Sequence, residues 1–334
     1  MAQATPVPST IATAITLEMT RKTWTGTPQG YLRNRRDPVS RTRRARLRSV
    51  SNRIVITGAA GQVGRFLTAR ATAEGRAVLA LNSAQWNIAD PAAAPALSSD
   101  DVVVNCAAYT NVDGAEAAPA DARAVNATGP ANVARACAAA GARLIHISTD
   151  YVFGGDTDRG PGRPYELDDP ADPVNVYGAS KLDGERAVAE ALPTATVVRT
   201  SWVYTGGSGN DFVAVMAGKA RAGQAVDVVD DQVGSPTYTG DLVAALLQIV
   251  DERPAAPLLH AGNGGEASRF DQARAVYAAV GADPDLVRPV GSGAHPRPAA
   301  RPSYSALAHG QSEWAGLRPL PPWQDAVARA LAGA

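Results

Sequence analysis

The apolar pattern changes character at Arg53. Upstream of it no helical or strand period is sustained, and the one apolar stretch, Ile11–Leu17, is broken by Thr13 and Thr16. From Arg53 the run RIVIT (53–57) is short, β-branched and followed by glycine, the mark of a strand buried on both faces. Helix-like spacing follows from Arg65 to Glu74 and stops at Gly75, and Ala77–Leu81 reads as a second strand. That unit has about the length a parallel strand–helix–strand crossover needs. Val102–Cys106 and Arg143–Ser148 read as further buried strands, Ala122–Ala140 as one long helix, and Asn175–Leu192 as another. Strands alternating with helices predict an α/β fold, a Rossmann-type doubly wound parallel sheet.

After Thr200 the elements shorten. Helices are expected over 211–221, 241–250 and 268–280, a strand over 226–229, and a last helix after Leu320-Pro-Pro-Trp323. This pattern predicts a smaller C-terminal α+β lobe. The expected division is 53–200 for the dinucleotide-binding part, with 239–260 returning to it, and 201–238 plus 261–334 for the substrate lobe.

The 334 residues, 45% apolar and 19% charged, suffice for a large core. No run of about 18 apolar residues is present, so a membrane span is not expected. Two cysteines, Cys106 and Cys137, lie in apolar segments and form no metal or disulfide pattern, which fits a reducing, cytoplasmic setting. Charge is uneven. Residues 1–52 hold ten basic and two acidic residues, a net of +8, while the rest holds 22 basic and 30 acidic, a net of −8. The basic segment is expected to be mostly disordered. It reads as an arm for nucleic acid or anionic lipid, as a targeting segment, or as an extension without a role of its own. No aromatic cluster or groove-entering helix accompanies its arginines, so nucleic-acid binding is not expected.

The turn Gly58-Ala-Ala-Gly61-Gln62-Val63-Gly64 sits between strand and helix. There, glycines permit a tight turn and a close backbone approach, and the helix start offers free N–H groups to a phosphate. The second strand ends in Leu81-Asn82-Ser83, without the carboxylate that would select a free ribose hydroxyl, so Asn82 leaves NADPH and NADH both open. Small residues Cys106, Ala107 and Ala108 follow the third strand, and Ser148-Thr149-Asp150-Tyr151 the fourth. Asn126 reads either as a bonded interior group or as part of a site. Tyr177 and Lys181 are one helical turn apart on one face. A phenol beside an ammonium has its ionisation favoured and is better matched to proton exchange with a carbonyl.

The ordered set TGAAGQVG (57–64), NCAA (105–108), STDYVF (148–153), NVYGASK (175–181), RTSWVY (199–204) and DQVGSPT (231–237) resembles the extended short-chain dehydrogenase/reductases, and within them the dTDP-4-dehydrorhamnose reductase family. The likeness spans about 53–331. It implies reduction of a dTDP-4-keto-6-deoxy sugar with NADPH or NADH. Tyr177 would be the proton donor, Lys181 the ribose-binding cation and Thr149 a hydrogen-bond donor to the reacting oxygen. It further implies that Gly58, Gly61, Gln62, Val63 and Gly64 face the cofactor phosphates, that Cys106, Ala107 and Ala108 face its ribose region, and that Asn87 and Ile88 lie near adenine. Asp150 and Trp202 would contact the sugar. Five arginines against two acids in residues 286–334 suit a diphosphate, and Arg301 is the expected contact.

Some members form Mg²⁺-bridged dimers through a Glu after the glycine turn. This chain has Arg65-Phe66 there, and Phe cannot ligate a hard cation. A monomer or a homodimer without metal is therefore expected. Two alternatives are another nucleotide-sugar reductase or epimerase, and a non-catalytic regulatory subunit with this fold. The presence of both Tyr177 and Lys181 argues against the second.

Overall fold

The computed structural model describes residues 52–155, 162–207 and 209–332. Residues 1–51, the basic segment, lie outside them. In chain order the first half runs β1 (Arg53–Thr57), α1 (Gln62–Ala73), β2 (Val78–Leu81), β3 (Asp101–Asn105), α2 (Val112–Ala117), α3 (Pro119–Arg123), α4 (Gly129–Ala140), β4 (Arg143–Thr149), α5 (Val176–Ala191) and β5 (Thr196–Thr200). The second half runs β6 (Val203–Tyr204), α6 (Phe212–Arg221), β7 (Val226–Val229), β8 (Val233–Gly234), β9 (Thr237–Tyr238), α7 (Thr239–Glu252), β10 (Leu258–His260), β11 (Asn263–Gly264), β12 (Ala267–Ser268), α8 (Arg269–Ala279), β13 (Val287–Val290), α9 (Gly310–Trp314), β14 (Leu320–Pro322) and α10 (Trp323–Ala332).

Six parallel strands form one sheet in the order β2-β1-β3-β4-β5-β10. The chain winds outward in both directions from the β1/β3 junction, so a crevice opens beyond the carboxyl ends of those two strands. Alternation along the strands builds two cores. Ile54, Ile56, Val102 and Val104 face Leu67 of α1 and Leu242, Leu246 and Ile249 of α7. Val55, Val103 and Leu144 face Val133 and Cys137 of α4 and Val188 of α5. A separate apolar cluster joins Val213 and Met216 of α6, Val226 and Val228 of β7, Val276 and Tyr277 of α8, and Trp323 and Val327 of α10.

Two elements differ from the sequence reading. The first helix begins at Gln62 rather than Arg65, since Gly61 in extended geometry is its N-cap and Gly64 is already helical. The long helix starts at Pro119 and is widened into a π turn at Ala124–Thr128. Pro130 has no N–H to offer the Asn126 carbonyl four residues earlier, which removes one α-helical bond at that point. The Asn126 side chain bonds outside the helix. It accepts from Tyr109 N at 2.8 Å and donates to Tyr109 O at 3.0 Å and Ser180 Oγ at 3.0 Å. Asn126 is thus a bonded interior group, and it ties the loop after β3 to α5.

Candidate active site

The crevice wall on the β1/β3 side is made of backbone. Gly58 has φ +61°, and a Cβ there would lie 2.6 Å from Ala107 N. A Cβ on Gly64 would collide with the Gly58 carbonyl oxygen. The turn is therefore closed against both β3 and α1, and only glycine fits. No side chain caps α1, so its first N–H groups face the crevice with the positive end of the helix dipole. These features fit the diphosphate of a dinucleotide. Beneath them a polar rung crosses three strands. Thr57 Oγ1 donates to Asn105 Oδ1 at 2.6 Å, and Asn105 Nδ2 lies 3.1 Å from His146 Nδ1. Burial keeps the His146 imidazole neutral by holding its pKa well below the ordinary value. Asn105 Oδ1 also accepts from Ala107 N at 3.2 Å and so fixes the small-residue segment 106–108.

Gln62 Nε2 reaches Thr239 Oγ1 at 3.2 Å, which ties the turn to α7. Asn82 Oδ1 accepts from Ala84 N and Gln85 N, so its oxygen is committed to its own turn. Asn87 is exposed and caps Ala89 N, whereas Ile88 is 4% exposed and packs in the core beneath Gly129. Phe66 packs edge-on against Tyr238, with ring centroids 6.5 Å apart.

On the opposite side α5 lies along β4. Asn175 caps it by accepting from Gly178 N at 2.7 Å. Tyr177 stands one turn before Lys181, half-buried under Tyr151, whose ring meets it edge-on at 5.8 Å. Burial raises the Tyr177 phenol above its usual value, and a hydrogen bond with Thr149 opposes this only in part. The expectation that Lys181 would depress this phenol is not met. Lys181, 2% exposed, points its ammonium at the Ile147 carbonyl of β4 at 2.7 Å. Burial lowers it to about 8, with Glu185 and Cys106 opposing the shift. Burial likewise pushes the Cys106 thiol up to about 12, so it is not a nucleophile. One turn beyond Lys181, Glu185 makes a two-bond pair with Arg199 of β5 at 2.9 and 2.7 Å, which pins α5 to the sheet.

Thr149 ends β4. It accepts from Tyr151 N at 3.2 Å and donates to Asp150 Oδ1 at 3.0 Å. Asp150 is one of the two sugar contacts that the sequence leads one to expect. It is 2% exposed, and its other oxygen accepts from Ser305 Oγ at 2.6 Å. It orders Thr149 from behind and joins β4 to the C-terminal segment. Trp202, half-buried, is the other. The Arg269 guanidinium carbon sits over its indole at 3.5 Å from the ring centroid, and Gly234 lies so close that a Cβ there would be 2.5 Å from Cε2. Trp202 holds φ +45°, a conformation costing on the order of 1–3 kcal/mol for a bulky residue, of the kind that persists at functional sites.

A cleft of about 600 Å³ lies beside Tyr151, lined among others by Val112, Phe212, Gln232, Arg269, Arg297 and Arg301. Arg301 is there as expected, but it is not free. Asp113 of α2 pairs with it at 3.0 Å, with Arg297 at 3.1 Å, and accepts from Ala299 N at 3.3 Å. Sequence reasoning singled out neither Asp113, Arg269 nor Tyr151 as a site residue. Tyr151 lies within the STDYVF motif and was one position away. Asp113 and Arg269 carry no local signal, because their partners are far off in the chain.

The chain matches the family model described as the RmlD substrate binding domain over residues 52–334. It is 59% identical to the dTDP-4-dehydrorhamnose reductase of Mycolicibacterium smegmatis, over 92% of this chain and 93% of that protein. It is 60% identical to the dTDP-4-dehydrorhamnose reductase of Mycobacterium tuberculosis, over 84% of this chain and 93% of that one. The solved structure of dTDP-4-dehydrorhamnose reductase from Bacillus anthracis in complex with NADP superimposes with a TM-score of 0.77 at 33% identity, covering 85% of this chain and 99% of that chain. This chain belongs to the family of the RmlD substrate binding domain.

Proposed function

We propose that this protein reduces the 4-keto group of dTDP-6-deoxy-L-lyxo-4-hexulose with NADPH or NADH, giving dTDP-L-rhamnose. A bound reduced nicotinamide supplies the hydride that makes the new C–H bond at C4. Tyr177 donates its phenolic proton to O4, and its raised pKa keeps that proton in place at neutral pH. Thr149, bonded to Asp150 and within reach of Tyr177, orients the reacting oxygen toward the phenol. Lys181, held at the Ile147 carbonyl, is poised to bind the nicotinamide ribose. The glycine turn, Gly58 to Gly64, with Cys106, Ala107 and Ala108, would form the cofactor side. Residues 201–238 and 261–334, with their own apolar cluster, would form the substrate lobe.

The observation that carries this reading is the juxtaposition of Tyr177 and Thr149 at the carboxyl end of β4, with Tyr151, which meets the Tyr177 ring edge-on, also lining the arginine-rich cleft. Among the described residues no helix is long and apolar enough to cross a membrane. The free thiols Cys106 and Cys137 support a reducing compartment, the cytoplasm, and a monomer or homodimer is our reading of the assembly.

Nicotinamide absorbance with the dTDP-4-keto-6-deoxy sugar tests the proposal. Each sugar reduced should consume one NAD(P)H. Tyr177→Phe should lower kcat by about 10²- to 10⁴-fold and leave cofactor affinity unchanged. Retained cofactor without net consumption would point to an epimerase, and near-normal kcat in the variant would remove Tyr177 as the acid.

A further inference from the structure

The buried rung Thr57–Asn105–His146 has a direction. Asn105 Oδ1 already accepts from Thr57 Oγ1 at 2.6 Å and from Ala107 N at 3.2 Å, so its amide nitrogen is the donor to His146 at 3.1 Å. His146 Nδ1 is therefore an acceptor, and the neutral imidazole carries its proton on Nε2. That N–H, on a side chain with 0% exposure, has no partner among the described residues. Ser148 lies two positions on along β4 and on the same face, and its buried Oγ is also without a partner among them. Between these two, Ile147 offers its carbonyl to the Lys181 ammonium at 2.7 Å. We infer that His146 Nε2–H and Ser148 Oγ bind a buried water that solvates the Lys181 ammonium, which makes His146 a positioning residue for that cation. This rests on the reading of Lys181 as the ribose-binding group.

Three arguments support it. First, a buried N–H left unpaired keeps the whole cost of its desolvation, so such groups bond to protein or to ordered water. A water can accept from His146 and from Lys181 and donate to Ser148, which gives it the three bonds that buried waters commonly make. Second, an ammonium has three N–H groups, and the Ile147 carbonyl takes one. Third, nothing else around Lys181 is free to solvate it. Glu185, one turn on along α5, is held by both bonds to Arg199 of β5. Cys106, after β3, is a neutral thiol. His146, on β4, is near enough for the ammonium to depress its pKa further, and the rung keeps it uncharged by occupying Nδ1 as an acceptor.

The test follows NADPH affinity by fluorescence titration from about pH 6.5 to about 9.5, which needs no sugar turnover. Wild-type affinity should fall as pH rises beyond about 8, the value to which burial lowers Lys181. His146→Leu removes the N–H and should bring the midpoint down by about one pH unit, a tenfold change in the proton equilibrium of Lys181. Ser148→Ala should lower it by about half as much. His146→Gln, whose Nε2 stands in for the imidazole Nε2, should restore most of the loss. A merely structural histidine would lower Tm, and affinity at every pH, without moving the midpoint. That result overturns the inference, and so does a midpoint in His146→Gln equal to that of His146→Leu. If His146→Leu does not fold, Ser148→Ala decides, and an unmoved midpoint there overturns it. Wild-type affinity that is flat with pH removes Lys181 from cofactor binding, and the inference with it. A protein that shows these shifts yet consumes no NADPH with the dTDP-4-keto-6-deoxy sugar keeps the water site and overturns the reductase reading instead.

Discussion

The two walls of the crevice are built from different materials. On the side proposed for the cofactor the surface is backbone: a glycine turn against Ala107, an uncapped helix start, and small residues after β3. On the side proposed for the substrate it is long side chains from distant segments, with Arg269 on Trp202 and Arg297 and Arg301 on Asp113. A backbone wall recognises what every dinucleotide shares and tolerates no side chain. A side-chain wall is held by pairwise contacts, each of modest strength and each replaceable, and this is where a family changes its substrate.

The cofactor wall is therefore expected to break most sharply. Gly58→Ala places a Cβ 2.6 Å from Ala107 N at φ +61°, where an L-residue already costs about 1–2 kcal/mol. The turn must move away from β3 to accommodate it. NAD(P)H affinity should fall by more than about tenfold, one decade per 1.4 kcal/mol, while dTDP affinity stays near wild type. Fluorescence titration of the cofactor and calorimetry of dTDP separate the two. If both fall together, the walls are not independent.

Lys181 lies between the walls and gives the next effect. Its ammonium is buried and its pKa lowered from 10.5 to about 8, chiefly by desolvation. Between those two values the unfolded chain binds more protons than the folded one, so this residue makes stability rise with pH from about 8 to 10.5. Below 8 the penalty of the buried charge is present in full, of order 3 kcal/mol. Lys181→Met should therefore melt higher than wild type at pH 7, lose the alkaline gain in Tm, and lose turnover. The wild type should lose activity as pH rises through about 8 and the cation is neutralised. A Met variant less stable than wild type at pH 7 would show that the bond to Ile147 outweighs desolvation.

Legibility in the sequence follows the same division. RIVIT, the glycine turn and NCAA announce themselves because their chemistry is local, and the alternation of strands with helices announces the parallel sheet. Tyr177 and Lys181 are one turn apart on any helix, so their shared face was readable. The direction of the Lys181 ammonium was not, since it depends on a carbonyl of β4, 34 positions away. Trp202 and Asp150 stand out in the sequence, but what surrounds them does not. What covers them comes from Arg269, Gly234 and Ser305, and no local pattern reports such partners. The π turn at Asn126 was missed because the apolar period runs through it unchanged.

Asp113 gives the smallest and most specific effect. It holds Arg297, Arg301 and the Ala299 N–H, while Glu116 on the same short helix accepts from Val176 N at 2.9 Å at the start of α5. Asn175, the cap of α5, donates to Ala300 O at 2.8 Å. The arginine-bearing segment 297–301 is thus tied to the helix that carries Tyr177. Burial raises the Asp113 carboxyl, but the Ala299 N–H and the two arginines outweigh it and hold the pKa below the ordinary carboxylate value. Half-buried pairs of this kind, still reached by solvent, are individually modest, so Asp113→Asn should raise KM for the dTDP-sugar about two- to fivefold, leave KM for NADPH unchanged and change kcat little. A group with a depressed folded pKa loses its contribution as pH falls through that value. Wild-type sugar KM should accordingly climb in acid, below the ordinary carboxylate range, while the Asn variant stays flat there. A variant that follows the wild-type acid profile would assign the profile to another carboxylate, and one with lowered sugar KM would mean that Asp113 competes with the substrate for Arg301 instead of positioning it.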